Sequence, residues 1–145
     1  MRCTLAALLL MFLSATADAA PDRYGHARIV TDRVEIDERI RFEFDSDALD
    51  RDSIPVLRDV AQLLRDHPEI TRIEVRGHTD SQGSDSYNRA LSQERADEVA
   101  RFLSQNGVSQ HRIVARGYGE SRPLIQGFSE RAHTVNRRVE FIVFR

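Results

Sequence analysis

The run Arg76-Gly77-His78-Thr79-Asp80-Ser81-Gln82-Gly83-Ser84 leaves an alternating apolar segment and enters a helix-like pattern that carries Asn88 and Arg95. Three chemistries fit these residue types. His78 and Asp80, two positions apart, could hold a metal ion or pass a proton. Arg95 has Leu91 one turn before it and Val99 one turn after. A guanidinium beside core residues needs a carboxylate, and Asp80 or Asp45 could supply one in a structural ion pair. In the third reading the two charges serve a zwitterion: Asp80 accepts its ammonium and Arg95 grips its carboxylate in a two-pronged fork. Residues 81–84 lead into a helix start, where unpaired backbone N–H groups favour anions.

The metal and catalytic readings find little support elsewhere in the chain. The histidines are scattered at 26, 67, 78, 111 and 133, with no HExxH and no second histidine at ligand spacing. There is no G-x-S-x-G elbow, and nothing singles out a glycosidase-like pair among the 23 acidic residues. The expectation is no metal, no cofactor and no enzyme; a cell-wall or metal hydrolase using His78 and Asp80 is the rival. Gly117-Tyr118-Gly119 reads as a turn with a packing role, and Asn136-Arg137-Arg138 as a solvated strand start.

Several elements must position these residues. Arg33–Ile36 and then Ile40–Phe44 alternate apolar and charged, as a strand or two strand pieces. Asp52 or Ser53 opens a helix with Pro55 in its first turn; Ile54, Leu57, Val60, Ala61 and Leu64 form its apolar stripe, and Pro68 stops it. Ile73–Arg76 is a strand. A long helix marked by Tyr87, Leu91, Val99, Phe102 and Leu103 ends at Asn106-Gly107, a left-handed cap. Arg112–Ala115 is a strand, 117–134 a loop, and Val139–Phe144 a last strand buried on both sides. The order β-α-β-α-β-β predicts an α+β sandwich of two layers, a mixed four-stranded sheet with both helices on one face.

The 145 residues suffice for one domain with a core. A formal net charge of −2 gives no basic excess for nucleic acid. All 21 basic residues are arginine, which matches either codon usage or a need for guanidinium forks. Residues 1–19 read as a secretory signal peptide: an apolar run, Leu5 to Leu13, then Ala17-Asp18-Ala19 as the cleavage site. That run is too short to span a bilayer. Residues 20–33 read as a short leader and 34–145 as the domain. The one cysteine, Cys3, precedes the apolar run, so it is not placed for lipidation, and the mature chain is expected to have no disulfide.

GHTDSQGSDSYNRALSQERA, RGYGESRP and NRRVEF, in this order and spacing, resemble the OmpA-like C-terminal domain family, to which Pal and MotB belong. The resemblance runs from about Ile40 to Phe144. It implies the same β-α-β-α-β-β sandwich and non-covalent binding of peptidoglycan through the diaminopimelate of its stem peptide. Carried over by position, Asp80 and Arg95 hold the ammonium and carboxylate of the D-centre. Asn88 matches the asparagine of the family's YN, Arg137 the first arginine of NRR, and Asp45 the acidic residue after Phe44; Thr79 lies within GHTD. The resemblance implies a periplasmic, wall-associated protein, peripheral to the outer membrane, with the stem peptide and an envelope protein as partners. No barrel, transmembrane helix or lipidated cysteine is visible, so membrane linkage is expected to need that partner. A protein–protein adaptor on the same scaffold is the alternative.

Overall fold

The computed structural model describes residues 20–43 and 45–145; the expected signal segment lies outside the described residues. Two short strands, β1 (Arg23–Tyr24) and β2 (Ala27–Val30), precede β3 (Arg33–Ile36). Helix α1 (Ser53–Asp66), β4 (Arg72–His78), helix α2 (Asp85–Gln105), β5 (Ile113–Gly117), helix α3 (Glu130–Asn136) and β6 (Arg138–Phe144) follow. The strands form one mixed sheet in the order β1-β2-β3-β6-β4-β5, with β4 and β5 parallel and the other pairs antiparallel.

This is the expected α+β architecture with a larger sheet. The two extra strands lie in residues 20–33, the segment read as a leader, and are joined by a turn at Gly25 (φ +46°). The alternation at 40–44 produces no strand. Phe44 lies outside the described residues, and Phe42 makes only an isolated antiparallel bridge to Leu49. The loop expected at 117–134 contains the start of α3, capped by Ser129, whose hydroxyl accepts the Ala132 N–H.

Register explains the core. Ile73 pairs with Val143, Val75 with Phe141 and Gly77 with Val139, so one face of β4 and β6 is apolar and lies under the helices. α1 contributes Val56, Leu57, Val60, Ala61, Leu63 and Leu64, all fully buried or nearly so; each of the valines and leucines stabilises by about 1.5–3 kcal/mol. Ile54 of the expected stripe is only partly buried, and Ser53 takes the interior position beside Arg41, whose N–H it accepts at 2.7 Å.

The long helix departs further from its expected stripe. Asn88, Ser92, Ala96, Val99 and Leu103 are buried, whereas Tyr87 is 47% exposed and Leu91 and Phe102 are partly covered. The cause lies in the strands below. A Cβ on Gly77 would sit 2.3 Å from the Ser92 carbonyl oxygen, and one on Gly117 2.3 Å from the Gln93 nitrogen. Two glycines let α2 lie almost backbone to backbone on β4 and β5, and only small or short polar residues fit that contact. At the far end Gly107 (φ +91°) follows Asn106, and Val108 N–H reaches back to Leu103 O at 3.1 Å, the expected left-handed termination.

Candidate functional site

β4 ends at His78, and the chain leaves the strand at Thr79-Asp80 in a turn that separates the histidine from the aspartate. His78 is buried, its ring stacked 5.4 Å from that of Tyr118, and its Nε2 donates to Glu140 Oε2 at 3.0 Å. Arg138 donates to the other Glu140 oxygen at 3.1 Å. These bonds hold the Glu140 carboxyl down at about 2, the His78 hydrogen bond being the largest cause. Tyr118 in turn donates to Glu74 at 2.9 Å. The Gly-Tyr-Gly turn therefore packs as the sequence suggested, and His78 belongs to a structural cluster. Among the described residues no group of three or more His, Cys, Asp or Glu side chains gathers as a metal site.

Asp80 faces the other way. Gly119 O accepts the Thr79 N–H at 2.9 Å, and the Thr79 hydroxyl donates to Asp80 O at 3.0 Å, so the turn is fixed from both sides. The Asp80 carboxylate accepts Gln82 N–H at 2.9 Å on one oxygen and Arg137 Nη1 at 2.7 Å on the other. Asn88, buried on the first turn of α2, donates to Gln82 O at 2.9 Å and Asp80 O at 3.3 Å. Ser84 caps that helix by accepting the Tyr87 N–H.

Arg95 lies across from this pair. Its Nε donates to Ser46 O at 3.0 Å and its guanidinium sits 4.9 Å from the Phe42 ring centroid. Neither Asp80 nor Asp45 forms an ion pair with it. The expected Arg95–carboxylate pair is thus absent among the described residues, and Arg137 occupies the place beside Asp80 instead. Burial pushes the Arg95 guanidinium below its ordinary value, with Tyr87 and Asp45 opposing the shift; an arginine nevertheless stays charged. Asp45, at φ +48°, a conformation aspartate tolerates, accepts the Tyr87 hydroxyl.

All six residues singled out in the sequence — Asp45, Thr79, Asp80, Asn88, Arg95 and Arg137 — line one open cleft of about 490 Å³. Phe42, Glu43, Gln82, Tyr87 and Leu91 complete it; of these, the sequence pointed only to the Gln82 loop and the Leu91 helix face. Tyr87, Leu91 and Arg95 are spaced by four, so one flank of α2 faces the cleft. That spacing is visible in the sequence, but Tyr87 and Leu91 at helical period read equally well as core positions.

The OmpA family matches residues 41–137, which include every residue of the cleft. The chain belongs to the OmpA family. It is 45% identical over 108 residues to outer membrane porin F of Pseudomonas fluorescens, covering 74% of this chain and 32% of the porin. It is 43% identical over 101 residues to the peptidoglycan-associated lipoprotein of Legionella pneumophila, covering 70% of this chain and 57% of the lipoprotein. The chain therefore spans between about a third and three-fifths of the length of these relatives. The crystal structure of the peptidoglycan-associated lipoprotein from Burkholderia pseudomallei superposes with a TM-score of 0.67 at 34% identity, covering 74% of this chain and 91% of that one. Among the described residues no helix of this OmpA-family chain is long and apolar enough to cross a membrane.

Proposed function

We propose that this OmpA-family chain binds peptidoglycan non-covalently, gripping the diaminopimelate of the stem peptide, and thereby anchors or organises the periplasmic envelope without catalysing a reaction. One observation carries the reading: a single cleft presents a buried carboxylate at Asp80 and, opposite it, a half-buried Arg95 that forms no ion pair among the described residues. A cation kept partly desolvated without a counter-ion is stabilised by an anionic ligand. A zwitterion fits both ends at once, its ammonium at Asp80 and its carboxylate at Arg95 in a charge-assisted fork. Arg137 already holds Asp80, so it steadies the carboxylate, while Asn88 and Thr79 fix the backbone behind it. Asp45 and Tyr87 close the far side. The names of the peptidoglycan-associated relatives support the reading at the level of the wall, and an envelope protein is the expected second partner.

Co-sedimentation with purified sacculi tests it. Wild type is expected in the pellet, with Asp80→Ala and Arg95→Ala each reduced by about tenfold or more in apparent affinity. Equal sedimentation of all three proteins would remove the zwitterion site, and a wild type left in the supernatant would favour the adaptor. Many copies on one sacculus raise retention above the affinity for a single stem peptide.

A further inference from the structure

A second cavity, of about 320 Å³, adjoins the cleft and shares Phe42, Arg95 and Arg137 with it. Its lining is unusual for a chain of net charge −2: Arg39, Arg41, Arg95, Arg137 and Arg138 face it, with Asp50 as the only carboxylate. Three of these arginines are already engaged outside the cavity. Arg41 pairs with Asp52 at 3.0 Å, Arg137 with Asp80 at 2.7 Å, and Arg138 with Glu140 at 3.1 Å. Arg39 and Arg95 are not. Arg39 donates to the carbonyl oxygen of Thr134, and Arg95 to that of Ser46. Among the described residues neither is within ion-pair distance of a carboxylate. Two guanidinium groups without an ion-pair partner among the described residues thus face a concave space whose other three arginines are each matched by a carboxylate, and such a site attracts anions.

We infer that this cavity is a second anion subsite, and that it takes a carboxylate of the same stem peptide whose diaminopimelate lies in the cleft. This rests on the proposed function above. The geometry favours a ligand with two separated anionic groups. Arg95 lines both spaces, so a peptide that leaves the cleft past Arg95 enters the arginine-lined space. In peptidoglycan the residue preceding diaminopimelate is a glutamate joined through its side-chain carboxyl, which leaves its α-carboxylate unused. That group is of the right charge and within one residue of the gripped centre. Arg39 can present a planar fork to it while Arg95 stays with the diaminopimelate carboxylate. Arg39 would then act as a specificity residue, separating walls with a free α-carboxylate from walls in which it is amidated.

Titration calorimetry on the full chain tests this with two synthetic stem peptides. Both contain diaminopimelate; in one the glutamate α-carboxylate is free, in the other it is the amide. Wild type should bind the free acid about tenfold more tightly. Arg39→Gln should bring that ratio close to one while binding the amide as wild type does. Arg39→Lys, which keeps the charge without the fork, should restore part of the preference. Equal affinities of wild type for the two peptides would overturn the subsite. So would an equal loss for both peptides in Arg39→Gln, which would mean that Arg39 only holds Thr134. If neither peptide binds wild type, the diaminopimelate reading of the cleft falls first, and the subsite with it.

Discussion

His78 and Asp80 stand two residues apart in one motif, yet they belong to two kinds of polar cluster. The cluster around His78 is closed in charge: it pairs its charges internally and leaves only the buried His78 Nδ1, at the edge of the second cavity, without a hydrogen-bond partner among the described residues. Glu140 receives His78 and Arg138, Tyr118 stacks on the imidazole, and Glu74 receives Tyr118, Arg76 and, more distantly at 3.8 Å, Arg116. Each charge has its partner within the protein, and what results is stability. The cluster around Asp80 is open: one cation is spent on the carboxylate, and Arg95 is left with a carbonyl oxygen and an aromatic face. Incomplete internal pairing next to a cavity distinguishes a site poised for a ligand from one that only supports the fold.

The two clusters should respond differently to mutation. The largest effect is expected where both depend on one residue. Gly77→Ala forces a Cβ into the Ser92 carbonyl and should push α2 away from β4, costing about 1–3 kcal/mol or more and weakening ligand binding as well. A lower urea midpoint together with lost sacculus binding would show this.

Next comes the closed cluster. Glu140 is held at about 2 against an ordinary 4.5, which corresponds to about 3 kcal/mol of stabilisation. Because the folded-state value is depressed, this contribution is complete above about pH 4.5 and is lost as pH falls toward 2. Glu140→Gln should therefore destabilise the chain at pH 7 and do so much less at pH 3, with wall binding at pH 7 retained by the folded fraction. Urea melts at the two pH values check it.

The open cluster should show the opposite split. Arg95→Ala removes a desolvated cation without breaking an ion pair, so the urea midpoint should change little while ligand affinity falls about tenfold or more. Tyr87→Phe sharpens the comparison at the small end. It removes only the donor to Asp45 on the exposed side of the cleft, and a loss of about threefold or less is expected in the same titration.

Much of this was legible in the sequence where local chemistry decides the outcome. The α1 stripe, the Asn106-Gly107 termination and the β4 alternation follow from side-chain period and cap chemistry, and the apolar run of β6 announces a strand, though Arg138, Glu140 and Phe144 of it are only partly buried. β1 and β2 were hidden because Arg23–Tyr24 and Ala27–Val30 are only two and four residues long, and become strands only by pairing with one another and with β3. α3 has seven residues and no long apolar stripe to announce it. The buried face of α2 was misassigned because its composition answers to Gly77 and Gly117, residues far away in sequence. At the site, Asp80 and Arg95 were visible as opposite charges flanking a helix start. The Arg137 partner of Asp80 was not, since an arginine at a strand start can reach in several directions and only the tertiary fold selects one.

On the proposed function, the cleft reads two opposite charges on one centre of the ligand. Calorimetric titration with two stem peptides tests this most directly, one carrying diaminopimelate and the other lysine, which lacks the second carboxylate but keeps the ammonium. Wild type should bind the diaminopimelate peptide about tenfold or more tightly, and Arg95→Ala should bind the two alike. Equal affinity of wild type for both peptides would contradict the account.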